Sequence, residues 1–398
     1  MRKNIISVMA AVAFMPAASF AAAPTLSDVL DASGISITGH ASGSWAYNHA
    51  SGDGPGSGGV TVNQFTFDQA ELTISKLPAE GFGALVDVYA GQDVAGDTYN
   101  YGNVFIGAQL PQNILPTGGF NKFDLSVSDG SNLGGGSEIN IHQAYVQYAT
   151  GGLTVIGGKF ATLAGYEVAS DALNTNATRS INYSQQAFTL TGVRAGYKFN
   201  DMVTVYAGLS NGVLAPTITT GSLVYLPNTI DLQPQKTVEV GVALAPLKGL
   251  TINVTDYRGT ELATDATGGT AFEGKVNLLD VVAAYTIGNL SVAYNGDYNT
   301  SKVKGAGVTA KYLGHAIYTN YQITKSLRAG VRGELTSAWN SGAGGPKIDR
   351  REVTLTGGYS ASKNFDLISD VRYAGVQDDP SIGNAHQLSY VLKAVYKF

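Results

Sequence analysis

The run Leu327-Arg328-Ala329-Gly330-Val331-Arg332-Gly333-Glu334-Leu335-Thr336-Ser337-Ala338-Trp339 decides the fold. Its odd-numbered positions are apolar or small, while Arg328, Gly330, Arg332, Glu334 and Thr336 take the even ones. Successive side chains of a strand point to opposite faces, so one face of this segment meets oil and the other meets water. Val238, Val240, Val242 and Leu244 alternate with Glu239, Gly241, Ala243 and Ala245 in the same way. Phe365, Leu367, Val371 and Tyr373 alternate with Asp366, Asp370 and Arg372. Helical periodicity is nearly absent from the chain. Alternation alone fits two architectures: a soluble sandwich with an apolar core, or a membrane barrel with an apolar exterior.

The connections separate them. Period-2 segments lie near 34–47, 62–76, 81–92, 138–149, 152–160, 187–199, 202–210, 236–245, 249–258, 274–287, 289–299, 308–323, 326–339, 350–360, 365–374 and 385–398, with turn residues between. Every second connection is tight, as at Leu77–Glu80, Thr150–Gly151, Asn200–Asp201, Pro246–Lys248, Gly288, Thr324–Lys325 and Ala361–Asn364. The intervening ones are long, above all 93–137, 161–186 and 211–235. Short turns at one end, long loops at the other and an even strand count define an antiparallel up-and-down transmembrane β-barrel. About 16 strands are expected, and boundary shifts would make that 14 to 18. The last segment agrees: Tyr390, Leu392, Ala394, Tyr396 and Phe398 alternate to the final residue, as a closing strand with a lipid-facing outer row must. Trp45, Tyr47, Tyr148, Tyr197, Phe199, Tyr294 and Trp339 are candidates for two aromatic girdles.

Composition is consistent with this. Of 398 residues, 14% are charged, against roughly 25% in an ordinary soluble domain. No later stretch matches the roughly 20 apolar residues of a spanning helix. Arg2 and Lys3 precede an apolar core from Ile5 to Phe14, and Ser19-Phe20-Ala21 offers small residues for cleavage, so 1–21 reads as a secretory signal peptide. Residues 22–33 would be a short periplasmic segment, and 34–398 one outer-membrane barrel. The mature chain carries about −7, which argues against a nucleic-acid partner. The absence of cysteine excludes thiolate metal sites and Cys nucleophiles.

The residues also resemble a family. Gly157-Gly158-Lys159-Phe160, Gly165-Tyr166-Glu167, Asn174, Arg179-Ser180, Tyr183 and Thr191-Gly192-Val193-Arg194 resemble the OmpL-like outer-membrane β-barrel porins. Leu26-Ser27-Asp28-Val29-Leu30 before Ser33-Gly34-Ile35 is similar too. The resemblance is firm over about 139–210 and diffuse elsewhere. It implies a pore-forming, non-catalytic barrel of the bacterial outer membrane whose terminal Phe398 strand engages the barrel-assembly machinery. Outer-membrane lipid and lipopolysaccharide are the expected surroundings, with a homo-trimer expected by analogy with general porins, or a monomer. It supplies no substrate.

A barrel of this size keeps an aqueous lumen, so inward residues set what passes. The alternation directs Glu71, Asp87, Lys159, Arg194, Lys198, Glu239, Arg328, Arg332, Glu334, Glu352, Asp366, Asp370, Arg372 and Lys393 inward. The signs are mixed, with Arg328, Arg332 and Arg372 forming a basic ladder that can pair with Glu352, Asp366 and Asp370. The 45-residue loop 93–137, rich in Tyr, Phe, Leu and Ile, is expected to fold inward and narrow the pore. Loop 161–186, with Glu167, Asp171 and Arg179, is the second candidate for lining the mouth. The long loops are net acidic, favouring weak cation preference. No enzyme reading holds. The five histidines, His40, His49, His142, His315 and His386, lack metal-ligand spacing. The Gly54–Gly59 run fits G-x-G-x-x-G, but no helix follows. Asp53 and Asp378-Asp379 are potential Ca²⁺ or lipopolysaccharide contacts, and no cofactor is implied. The expected function is passive diffusion of small hydrophilic solutes or ions. The alternative is an occluded barrel serving as a surface adhesin, receptor or structural protein.

Overall fold

The computed structural model describes residues 30, 32–53, 59–91, 138–212, 223–225, 236–265, 271–303, 307, 309–341, 347–379 and 383–398. Residues 1–21, read above as a signal peptide, most of 22–33 and the 93–137 loop lie outside them. Of the unit Met1–Ile35, one turn is described, in which the Ser33 hydroxyl donates to the Leu30 carbonyl at 2.8 Å.

The second unit, Ser36–Phe398, is a closed antiparallel wall. Its strands are β1 (Ser36–Gly52), β2 (Val60–Lys76), β3 (Gly81–Gly91), β4 (Glu138–Thr150), β5 (Leu153–Ala161), β6 (Thr189–Asn200), β7 (Val203–Ser210), β8 (Leu223–Tyr225), β9 (Thr237–Leu247), β10 (Leu250–Asp265), β11 (Ala271–Ile287), β12 (Leu290–Val303), β13 (Thr309–Gln322), β14 (Leu327–Ser341), β15 (Lys347–Ser362), β16 (Phe365–Asp379) and β17 (Gly383–Lys397). Each pairs with its neighbour in sequence, except that β7 pairs directly with β9. The three-residue β8 continues the wall above β9 on Ala263–Asp265 of β10. Sixteen strands therefore make the wall, and the sixteen-strand reading holds.

Closure follows from β1 pairing with β17, from His40 opposite Lys397 to Gly52 opposite Ala385. The C-terminal residue completes the seam: the Gly39 and Phe398 backbones bond reciprocally at 3.1 and 3.0 Å. A Cβ at Gly39 would stand 2.7 Å from the Phe398 ring, so glycine here makes room for the terminal aromatic. Several strands run longer at the long-loop end than periodicity predicts; β10 reaches Asp265 and β16 reaches Asp379. Polar residues there alternate without an apolar row, so hydropathy could not mark where pairing stops.

The distribution of polarity chooses the membrane. Phe65, Phe82 and Ile139 are 80% exposed or more, while Arg179 and Arg332 are fully buried. A soluble core would invert this. The outer rows read Leu72 and Ile74 on β2, Val86 on β3, Val146 on β4, Val193 on β6, Val240 on β9, Val331 and Leu335 on β14 and Val353 and Leu355 on β15, all exposed. Tyr148, Tyr197 and Phe199 sit at short-turn ends and Trp45, Tyr47 and Trp339 toward long-loop ends, as girdles require. Tyr294 does not: it is the fifth of the fourteen residues of β12, within the strand.

Candidate functional site

Among the described residues, the connection from β5 to β6 occupies the lumen. The sequence assigned this segment to the mouth; in the structure it leaves the wall at Ala161, enters the barrel and returns at Thr189. Its start is pinned by Tyr257 of β10, whose hydroxyl accepts from Leu163 N at 3.0 Å and lies 2.9 Å from the Thr162 hydroxyl. Phe160, Ala164, Ala187 and Leu190 pack with Tyr257 and Leu278 beneath it. The chain then bends at Gly165, where φ is +97°. An added Cβ would stand 2.0 Å from the Gln186 side-chain oxygen, so this position needs glycine for both backbone and space.

Beyond the bend the loop crosses to the far wall. Only two 3₁₀ turns, Asp171–Leu173 and Tyr183–Gln185, interrupt its irregular course, so its backbone groups must find partners among side chains. Asn174 supplies some: its Nδ2 donates to Val168 O at 2.8 Å and to Ser170 O at 2.5 Å. Wall carboxylates supply others. Glu334 accepts from Ile181 N and Asn182 N at 2.8 and 3.1 Å, and Asp370 accepts from Thr178 N and its hydroxyl at 2.8 Å each. Gln186 Nε2 donates to Asn295 and Asp297 of β12 at 2.6 and 3.0 Å.

Charges complete the seat. Arg332, fully buried, donates from Nη1 to Glu167 at 2.9 Å and to Thr178 O at 2.7 Å, and from Nη2 to Glu352 at 2.6 Å. Glu352 also receives Arg372. Asp171 accepts from Lys393 of β17 at 2.7 Å, Arg179 at 3.1 Å and the Ser42 hydroxyl at 2.7 Å. Ser170 donates to Glu71 of β2, and Ser180 N donates to Glu167 at 2.8 Å. Burial opposes ionisation of Asp171, but Lys393 and Arg179 overrule it and hold the carboxyl down to about 2. A carboxyl lowered in the folded state stabilises above its ordinary value, and that contribution disappears as pH falls through the lowered one. The loop should accordingly loosen between pH 3.8 and about 2; protease susceptibility of the 161–188 segment in folded barrels, followed against pH, reads this directly.

The inward candidates fare unequally. Glu71, Arg332, Glu334, Glu352, Asp370, Arg372 and Lys393 meet in this network. Arg194 and Glu239 form a separate buried pair beneath it, with Nη2 2.7 Å from Oε2. Asp87 binds Thr73 at 2.9 Å and Gln143 at 3.2 Å. Asp366 binds Lys397 at 2.6 Å near the short-turn end. Arg328 is half-buried and reaches Thr175 O of the loop at 3.4 Å. One candidate is corrected. Lys159 is in register with Ala144 and Thr191, the row that carries exposed Val146 and Val193, so its backbone position is on the outward row, with Nζ 3.4 Å from Asn140 Oδ1, and Phe160 takes the inward place. Lys198 keeps the inward parity of Arg194 and lies exposed at the β6–β7 turn, paired with Asp201 at 2.7 Å. Asp53 binds Asn384 at 2.7 and 3.1 Å; the Asp378 and Asp379 side chains lie outside the described residues. No group of three or more His, Asp or Glu that could hold a metal occurs among the described residues.

Sequence reasoning missed the wall partners that carry no formal charge or sit on unremarked strands: Tyr257, Asn295, Thr356 and Ser42. The residues that carry the family resemblance turn out to build the loop. Gly165 makes its bend, Glu167 and Arg179 its ion pairs, and Asn174 its internal bonds, while the Ser180 hydroxyl accepts from Tyr183 N at 2.9 Å.

Known proteins place this architecture. The OmpT loop L8 deletion mutant of Vibrio cholerae superposes with a TM-score of 0.56 at 10% identity, covering 92% of this chain and 100% of that one. Pseudomonas putida OprB gives 0.56 at 11% identity, covering 93% and 96%. The anion-selective porin from Comamonas acidovorans gives 0.54 at 10%, covering 92% and 99%. At such identities the likeness is one of fold. No curated protein matches the chain. Residues 34–398, the whole wall and its lumen loop, match the family described as beta-barrel porin-2, OmpL-like. The chain belongs to that family of outer-membrane porins.

Proposed function

We propose that this porin is a passive, non-catalytic channel for small hydrophilic solutes, with a weak preference for cations, whose constriction is the 161–188 loop. The observation that carries the preference is the charge of the interior. Among the described residues, eleven buried Asp and Glu side chains stand against five buried Arg and Lys. Most of these are paired, so the residual field is modest, and fixed pairs leave no single-sign ring of the kind that selects strongly. The Comamonas acidovorans porin is titled anion-selective, and nothing in the basic ladder here supports the same sign: Arg332 and Arg372 are both spent on Glu352.

Planar-bilayer recording of the refolded mature protein across a salt gradient tests this. Stable conductance steps with a reversal potential of cationic sign are expected. An anionic sign would overturn the preference. A folded barrel without steps would replace the channel by the occluded surface protein.

A further inference from the structure

The interior carboxylates divide by what faces them. Glu352 lies between Arg332 and Arg372, Asp171 between Lys393 and Arg179, and Glu239 against Arg194. Asp280 of β11 and Asp297 of β12 break this pattern. They are direct register partners on the inward row, 0% and 1% exposed. Their carboxyls lie within hydrogen-bonding reach of each other, and Oδ1 of each receives no donor. Their Oδ2 atoms take amide donors, Asn295 Nδ2 to Asp280 at 2.6 Å and Gln186 Nε2 to Asp297 at 3.0 Å. Among the described residues no Lys, Arg or His bonds either carboxyl. Along their ladder the inward positions are Thr255 of β10, Gly314 of β13 and Thr336 of β14, and the first cation is Arg350 of β15, three strands from Asp297. The titratable groups on the elements packed around them are phenols and acids: Tyr257 on β10, Tyr312 and Tyr318 on β13, Glu334 on β14, and Tyr166 and Glu167 on the loop. The nearby guanidinium of Arg332 is bonded to Glu167 and Glu352.

Residues directly opposite in a strand pair hold their Cβ atoms about 4.5–5.5 Å apart. Two carboxylates at that spacing, away from water and with no cation, cannot both ionise without a cost that two amide donors do not offset. One proton between them removes it. The pair also sits at the neck of the 161–188 loop. Asn295, the next inward residue of β12 and the donor to Asp280, accepts from Tyr166 N of the outgoing limb at 3.3 Å and from Gln186 Nε2 of the returning limb at 2.6 Å. Gln186 joins Asn295 to Asp297, so a displacement of either carboxyl is felt by both limbs.

We propose that Asp280 and Asp297 form a proton-binding site, with one proton shared between the two carboxyls at neutral pH, and that loss of this proton in alkali releases the neck of the loop. The effect on conductance rests on the loop being the constriction; the shared proton does not. The sign follows from linkage. The seated loop holds a proton that the detached loop, with both carboxyls in water, gives up, so the hold weakens as pH rises until the proton has left. This limit lies at the opposite end of the pH scale from the acid loosening at Asp171.

Infrared difference spectra of refolded barrels, taken from neutral to alkaline pH beside conductance and protease cleavage within 161–188, test this. The wild type should show a carbonyl band of a protonated carboxylic acid that bleaches in alkali. Asp280→Asn and Asp297→Asn should each lack that bleach, because the remaining carboxylate accepts from the new amide. Cleavage and conductance should rise several-fold over the same interval in the wild type and stay level in both variants. A wild type without the band, or an equal bleach in both variants, would overturn the shared proton. A missing band together with a bound divalent cation that a chelator removes would overturn it by giving the site to a metal. A bleach with cleavage unchanged would separate the pair from the loop. A barrel that conducts nothing leaves the spectra and the cleavage decisive, so failure of the channel reading is told apart from failure of this one.

Discussion

Replacing Leu163–Gln186 with a two-residue Gly-containing turn raises single-channel conductance several-fold. The wall permits the excision, because Ala161 and Thr189 are register partners on adjacent strands and Thr162 N already bonds Phe188 O at 2.9 Å. A hairpin turn closes such ends without strain. The barrel itself is held by the β1–β17 seam and by its lipid-facing rows, none of which the loop supplies. What the loop does supply is matter in the lumen. It passes from β5 to Thr356 on β15, Asp370 on β16 and Lys393 on β17, and touches Glu334 on β14 on its way back. Sixteen strands enclose an aqueous channel when empty, and conductance follows the open section. The comparison variant lacks Asn103–Asn132, the loop that sequence pattern expected to fold inward and that lies outside the described residues. If the first excision leaves conductance unchanged while the second raises it, the constriction has been assigned to the wrong loop.

That exchange of loops shows where the sequence was legible. Strand β14 could be read residue by residue, since every odd position from Leu327 to Trp339 must tolerate lipid and every even one need not. Closure could be read too, from the alternation that ends on Phe398. The inward rows gave most of the site for the same reason: Arg332, Glu334 and Glu352 were placed by parity alone. Parity fails where strands end, which is why Lys159 was misplaced. Loops have no periodicity to read. Hydrophobic content drew attention to 93–137, but the 161–188 segment enters the barrel on other grounds. It is rich in Asn, Ser and Thr, which satisfy irregular backbone, and carries Glu167 and Asp171, matched by Arg332 and Lys393 of the wall, with Arg179 bonded to Asp171 inside the loop. The two wall matches are between residues more than a hundred positions apart, so no local pattern encodes them.

Arg332→Met should detach the loop without opening the barrel. Arg332 bonds at once to a loop carboxylate, Glu167, to two loop carbonyls, Thr178 O at 2.7 Å and Arg179 O at 3.2 Å, and to a wall carboxylate, Glu352. Removing one partner of a buried ion pair costs about 3–5 kcal/mol, because the charge left behind has lost both water and partner. Glu352 keeps Arg372; Glu167 keeps the Ser180 amide, and follows water by leaving the lumen. Lysine is a poor substitute, since a single ammonium cannot span the fork that reaches Glu167 and Glu352 together. The expected record is a larger, noisier conductance with unchanged heat resistance of the barrel. Arg328→Met provides the contrast. Sequence pattern set Arg328 and Arg332 on one ladder as equals, yet Arg328 is half-buried and its contact to the loop is the 3.4 Å approach to Thr175 O. Its loss should leave conductance near the wild-type value, within the few tenths of a kcal/mol typical of weak exposed contacts, ~0.5 kcal/mol. Equal effects from the two arginines would mean that the ladder acts through its field on passing ions, and that the bonds of Arg332 to the loop are incidental to the constriction.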